Sequence, residues 1–509
     1  MVSYASCSTI TKEDTTIYQQ NTSYPTKTIT YTTGGGLYNN NYQTLLNIRI
    51  NPLLYYPMKN ELTFTNHINL TIIYKEPETP PFEENDEHDL LIITPQEFTR
   101  NLQPLISYKN QNNIRTKVLT TETINQEQTG RDLPEKIKYA IKQTIEESGI
   151  KSVLLIGGMD GQSTNWNLPP RYSHVIIREG TQEIIEPQFL SDLYYADIYD
   201  SMGNFSSWDT NNNNIFAEFD QGTIDEMDLY PDVYIGRLPC RNKLEVRIIV
   251  NKIIDYQTAR NTDWFKKIIL ISGDHWDDAN HIAEGIEIME QAKNIMDGFQ
   301  AVKLYATENN DLKVRDINKA LSQGAGFAYF CGHGSPIAWG IHYPPDAKGW
   351  APSILGIDFY RPLYMKFLRN KEKLPVTLVG GCNNGQFDRS IGKSLSKGKI
   401  TINTGCWAWK LTLHQRGGAI ATIANTGLGT HAMDDSDNNG VNDYLEAYDG
   451  WMELRFLELY AEEDIRVLGQ LHQETITQYL NRFLGNYDEM DPKMAQQWEL
   501  FGDPSLILY

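Results

Sequence analysis

GAGFAYFCGHGSPIAWG (residues 324–340) and PVTLVGGCNNGQFD (residues 375–388) decide how this chain folds. Each opens on an apolar run of strand length, breaks at glycine, and sets a reactive side chain just beyond, His333 in the first and Cys382 in the second. A short apolar run bounded by glycine reads as a strand buried on both faces. In open sheets of parallel strands, functional groups collect beyond the carboxyl ends. Four similar runs flank this pair: DLLIITP from Asp89, SVLLIGG from Ser152, KIILISGD from Lys267 and GAIATIANTG from Gly418. Amphipathic stretches such as LPEKIKYAIKQTIEES (133–148) and ANHIAEGIEIMEQAKNIM (279–296) separate several of them. Apolar strands alternating with helices predict an α/β fold of mostly parallel sheets flanked by helices.

Outward from this core, the predicted organisation has four parts. Residues 1–74 form a β-rich accessory or pro-segment region, with TFTNHINLTIIY (63–74) as a strand and Gly34-Gly35-Gly36 as a loop. The acidic, proline-bearing KEPETPPFEENDEH (75–88) is a linker. A first α/β subdomain spans 89–260, with a loop-like excursion over 191–231, and a catalytic α/β subdomain spans 261–509.

The net charge of −20, with no basic run, argues against a nucleic-acid partner. No apolar stretch approaches the roughly 20 residues that a membrane span needs. None of the five cysteines lies in a CxxC pair, which argues against both a thiolate zinc site and a disulfide framework. The start, MVSYASCSTITKED, has neither the basic n-region nor the apolar h-region of a signal peptide, which reads either as a cytosolic protein or as a chain trimmed before Met1. No organic cofactor is called for.

Asp274 ends the Lys267 run as His333 and Cys382 end theirs. A thiol, an imidazole and a carboxylate at one sheet edge are equipment for nucleophilic acyl transfer. Gly332 and Gly334 permit close backbone approach beside His333. The N–H groups of Gly334 and Cys382 are candidates for an oxyanion hole. Trp339 and His431 are candidate substrate contacts. His275, His281 and His431 lack metal-ligand spacing and read first as polar loop residues. Trp407 and Trp409 read as core.

YFCGHGSPIAWG (329–340) resembles the catalytic-histidine loop of gingipain-type cysteine peptidases, and GGCNNGQFD (380–388) resembles their nucleophile loop. GAIATIANTG, FGDPSL (501–506), DLLIITPQEF, DLYYAD and DVYIGRLP are similar to further motifs of that family, in order, from Asp89 to the C-terminus. The resemblance implies a caspase-like fold and cleavage of protein or peptide substrates through a Cys382 thioester, with His333 as general acid/base. It also implies that Asp274 orients His333, and that an acidic residue near Glu284 (Glu287 competes) selects Arg or Lys before the scissile bond. The family is typically secreted, which implies an extracellular or cell-surface location. Gln386, where the family often has Asp, and Asp274, where Glu also occurs, depart from the pattern. A transpeptidase and a catalytically silent binding relative are the rival readings.

DSDNNGVNDYLE (435–446) matches the calcium-loop pattern D-x-[DN]-x-[DN]-G-x5-E. It offers Asp435, Asp437, Asn439, the Val441 carbonyl, Asp443 and Glu446 as hard oxygen ligands. Asp209, Asn211, Asn213 and Asp220 form a looser copy, with Asn214 in place of the glycine.

Overall fold

The computed structural model describes residues 15–74, 87–179, 183–220, 223–276, 282–344, 349–354, 357–398, 404–433, 435, 438–483 and 490–509. Asp437, His281 and most of the predicted linker lie outside the described residues. Two N-terminal hairpins come first: β1 (Ile29–Tyr38) with β2 (Asn41–Ile50), and β3 (Leu53–Tyr56) with β4 (Glu61–Phe64). Next come β5 (Leu90–Thr94), β6 (Thr116–Thr120), β7 (Ser152–Ile156) and β8 (Tyr234–Leu238), all parallel in the order β8-β7-β5-β6. A second sheet contains β9 (Lys267–Ser272), β10 (Gln300–Tyr305), β11 (Phe327–Cys331), β12 (Val376–Gly380), β13 (Ala421–Asn425) and β14 (Trp498–Phe501). Its order is β10-β9-β11-β12-β13-β14, parallel except for β14.

The central strands β5, β7, β11, β12 and β13 are buried at every position, as continuous apolar runs require. The strands that the apolar-run signal passes over include the edges β6 and β10. Their sequences TKVLT and QAVKLY carry lysine, which an edge strand accommodates because one side meets water. Helices cap as their ends predict. Asp132 accepts the Glu135 N–H at the start of α1 (Leu133–Ser148), and Gly149 ends that helix in the left-handed conformation. Asn242 likewise caps α2 (Lys243–Gln257). Among the described residues, no helix is long and apolar enough to cross a membrane.

Two N-terminal expectations are corrected. Gly34, Gly35 and Gly36 lie inside β1, not in a loop. A Cβ at Gly34 would collide with the Tyr230 ring, and one at Gly36 would lie 2.7 Å from the Pro231 carbonyl. The glycines are thus contact residues for the 228–231 segment, and the Gly35 N–H donates to Asp228 at 2.9 Å. The predicted strand over 63–74 ends at Phe64; among the described residues no strand pairs with the remainder, and Ile73 there is 91% exposed.

The sheets abut through their edges β8 and β14, where a Cβ at Gly236 would lie 2.5 Å from the Gly502 carbonyl. Lys109, from the helix Thr99–Gln111, crosses this seam to Asp503 at 2.6 Å, both side chains being fully buried. Asp503 also accepts the Ser505 N–H and hydroxyl. Lys252, on α2, donates to the carbonyls of His414, Gly417 and Ala419 at 3.1, 2.9 and 2.9 Å. Removing one partner of a buried ion pair leaves an uncompensated charge. Asp503→Ala should therefore cost roughly 3–5 kcal/mol in chemical denaturation. Lys109→Met combined with Asp503→Leu should recover much of that loss; strictly additive losses in the double variant would refute the coupling.

Candidate active site

β11 and β12 are paired with Cys331 opposite Gly380, and the Gly332 N–H donates to the Gly380 carbonyl at 2.9 Å. His333 and Cys382 each lie two residues beyond that pair, so strand register alone brings their loops side by side. The loops then touch through glycine. A Cβ on Gly381 would lie 3.1 Å from the Gly334 nitrogen, and one on Gly334 would lie 2.7 Å from the Cys382 carbonyl. Asn384 clamps the contact by donating its amide N–H groups to the carbonyls of Ser335 and Ala338, at 2.7 and 2.9 Å. Asn383 takes a left-handed φ of 57°, turning the chain sharply after the cysteine.

His333 Nε2–H donates to the carbonyl of His275 at 2.7 Å. Burial holds the imidazole down at about 4, helped by neighbouring His342 and opposed by that hydrogen bond. Cys382 Sγ–H points to the Gly429 carbonyl at 3.7 Å. Burial pushes this thiol up to about 11, against the Gly429 contact and the pull of Lys493. Both groups are neutral near pH 7. They line one cleft of about 110 Å³ together with Trp276, Leu428, His431 and Met490. Asp449 and Lys493 also line it. Asp449 is held by the Asn425 amide and the Thr430 N–H at 2.9 Å each, and burial raises its carboxyl to about 6. Lys493 pairs with Glu186 at 3.0 Å.

The remaining predicted residues divide. Asp274 lies two residues beyond β9, bridges His342 through its backbone, and accepts the Trp276 N–H at 3.3 Å. The acceptor seen on His333 Nε2 is the carbonyl of the residue that follows Asp274. His431 lines the cleft. Trp339 does not: it is fully buried beneath the histidine loop, packing on Phe330 with ring centroids 5.1 Å apart. Glu284, also buried, turns its carboxylate to the His275 N–H at 3.3 Å and stays outside the cleft. Its competitor Glu287 accepts from Asn442 and Tyr444. Trp407 and Trp409 are core residues. The sequence reading gave no role to Asn384, Asp449 and Lys493. Asn384 follows the nucleophile closely enough to have been weighed, whereas Asp449 and Lys493 arrive from distant helices without a local signal.

The two predicted cation loops share one backbone arrangement. Asp435 accepts the N–H groups of Asn439 and Gly440 at 3.0 Å, and Asn439 accepts that of Val441 at 2.7 Å. Asp209 accepts those of Asn213 and Asn214 at 3.0 Å, and Asn213 accepts that of Ile215 at 2.7 Å. Gly440 and Asn214 both have positive φ, 87° and 65°. Glu446 closes the first loop on Asn439 at 2.7 Å. Glu218, not Asp220, meets Asn211 and Asn213 in the second, because Phe219–Asp220 pairs with Thr223–Ile224 and draws Asp220 out of the loop. Asp443 begins a short helix, Asp443–Glu446.

Gingipain R2 of Porphyromonas gingivalis (strain ATCC BAA-308 / W83) is 22% identical over 86% of this chain and 48% of its own length. Gingipain R1 of Porphyromonas gingivalis is 22% identical over 84% of this chain and 35% of its own length. The chain thus spans half or less of these curated relatives. Among solved structures, the Arg-specific cysteine proteinase gingipain R (RgpB) has a TM-score of 0.55 at 19% identity, covering 84% of this chain and 80% of that one. A complex of the pro- and mature domains of Porphyromonas gingivalis RgpB gives 0.55 at 20% identity, over 82% and 79%. These likenesses show the fold. The family model described as peptidase family C25 matches residues 83–509, and the chain belongs to that family.

Proposed function

We propose that this chain is a cysteine endopeptidase with Cys382 as nucleophile and His333 as general acid/base. The observation that carries the reading is the locking of their two loops, glycine against glycine, with both side chains on one cleft. With Nε2–H given to the His275 carbonyl, the neutral ring carries its lone pair on Nδ1. The dyad rests uncharged, so His333 takes the thiol proton as Sγ attacks the scissile carbonyl. The Gly334 and Cys382 N–H groups would hold the developing oxyanion. The C–N bond then breaks, the departing amine takes the proton from His333, and a thioester remains on Cys382. Water, deprotonated by His333, hydrolyses it. Family membership supports this chemistry and an extracellular or cell-surface location. A transpeptidase differs only in accepting an amine at the last step.

Preference for Arg or Lys before the scissile bond is the finer part of the reading. The Arg-specific enzyme among the similar structures supports it. Glu284 lies outside the cleft whereas Asp449 lines it, and we assign the role to Asp449. The 435–446 loop fits Ca2+, since the Asp435 turn and the Glu446 closure on Asn439 are formed and the ligands on offer are hard oxygens. Asp435, Asn439, the Val441 carbonyl and Glu446 would hold the ion, which would rigidify the loop.

Cys382→Ala should abolish peptide hydrolysis and labelling by an electrophilic peptide inhibitor, and His333→Ala should lower kcat by roughly 100- to 10,000-fold. Turnover persisting in purified Cys382→Ala protein would sink the reading. In a substrate library, Asp449→Asn should cut kcat/KM for Arg and Lys substrates by about ten- to a hundredfold relative to neutral ones, with Glu284→Gln retaining the preference. Cleavage by wild type after apolar residues alone would remove it. Chelation should lower the Tm, because an ion at 100 times its Kd stabilises by about 2.7 kcal/mol. Asp435→Ala with Glu446→Gln should erase most of that response; melting indifferent to calcium and chelator would exclude the site.

A further inference from the structure

His275, Cys331 and His431 lie far apart in sequence, which is why spacing gave no sign of a metal site. The fold gathers them. Nε2 of His275 is 3.6 Å and Nε2 of His431 3.9 Å from Cys331 Sγ. One ligand atom from each residue lies within 4.8 Å of the others. A tetrahedral ion with Zn–S of about 2.3 Å and Zn–N of about 2.0 Å sets sulfur and nitrogen about 3.5 Å apart. The three side chains already stand near that spacing.

Two further observations point to an ion. Cys331 and His275 are 0% and 2% exposed, so their polar atoms have left water. The donor set, one thiol and two imidazoles, suits zinc-class ions and excludes Ca2+ or Mg2+, which take oxygen. Three protein ligands leave a fourth position open, as in reactive zinc sites. Here that position faces the cleft, because His275 and His431 line it beside Cys382 and His333.

We propose that His275, Cys331 and His431 bind one zinc-class divalent cation at the floor of the cleft, and that the bound ion shuts the peptidase off. On binding, Cys331 loses its thiol proton to solvent and coordinates as thiolate; no electron is transferred. The ion draws His431 inward, fixes His275, whose carbonyl holds His333, and sets a water where substrate must lie. The binding rests on geometry alone, whereas the inhibition rests on the assignment of Cys382 and His333 above.

Co2+ is the probe, titrated into full-length Cys382→Ala protein so that the cleft thiol cannot contribute. One Co2+ per chain should bind, with a cobalt–thiolate charge-transfer band that Zn2+ displaces. The band should vanish in Cys382→Ala/Cys331→Ser. Affinity should fall at least tenfold in Cys382→Ala/His431→Asn, which tests the site at a half-buried position even if the core variant fails to fold. In the chain with Cys382 intact, Zn2+ should inhibit hydrolysis in calcium buffer, a zinc-selective chelator should restore it, and His431→Asn should raise the inhibition constant at least tenfold. A band absent from Cys382→Ala, or surviving Cys331→Ser, overturns the site. Cobalt binding with no loss of hydrolysis overturns the regulatory role. A metal-free wild type with no peptidase activity overturns instead the reading of Cys382, with the spectroscopic result still deciding the site.

Discussion

Everything at the cleft depends on the contact between Gly334 and Gly381. Parallel pairing of β11 with β12 sets Cys331 opposite Gly380, but register only brings the two loops to one place. Their approach to within van der Waals distance requires that neither residue carry a side chain. Asn384 then replaces the missing side-chain packing with two hydrogen bonds to the opposite loop. The result is a rigid ledge for a thiol and an imidazole, and the helix Trp407–Leu413 braces it: the Ala408 N–H donates to the Asn384 carbonyl at 3.0 Å and the Trp407 N–H to the Pro336 carbonyl at 2.8 Å.

Rigidity is coupled to burial, and burial sets the chemistry. Both reacting groups are disfavoured as ions, the thiol pushed up and the imidazole held down. A resting thiolate–imidazolium pair is therefore not stabilised here. Charge must develop during attack, when the Gly334 and Cys382 N–H groups face an oxyanion. Donors fixed in place beforehand contribute most under that condition, because they need no reorganisation as charge appears. The close glycine contact and the neutral dyad are two consequences of the same tightly packed sheet edge.

The legible part of the fold was the part governed by short-range signals. The buried strands β5, β7, β9, β11, β12 and β13 announce themselves as apolar runs, and the ends of β9, β11 and β12 carry Asp274, His333 and Cys382 in sight. Edge strands such as β10 escaped, because half-exposed strands mix lysine with apolar residues. Gly34, Gly35 and Gly36 read as a loop because the reason for them, the Tyr230 ring, lies nearly 200 residues away. Trp339 and Glu284 sit where their sequence neighbours place them, but the direction of a side chain is a tertiary property: one turns into the core, the other toward a backbone N–H. Asp449 and Lys493 had no local signal at all.

Those two residues show why the cleft belongs to the whole chain. Lys493 comes from the helix Met490–Gln497 and pairs, fully buried, with Glu186 from the stretch between β7 and β8. Glu186 also accepts the Leu428 N–H, in the segment that carries Gly429 against Cys382. Ile177 and Ile185 from that same stretch line the cleft. Part of the cleft lining is therefore built from sequence that precedes β9, and Glu186 ties it to Lys493 and to the Leu428 N–H. Lys109 and Asp503 hold the seam between β8 and β14 through a fully buried pair. Buried pairs tolerate little misplacement, because loss of geometry leaves charge without compensation. The two pairs therefore hold the sequence before β9 against the second sheet, and that fit completes the lining of the Cys382–His333 cleft.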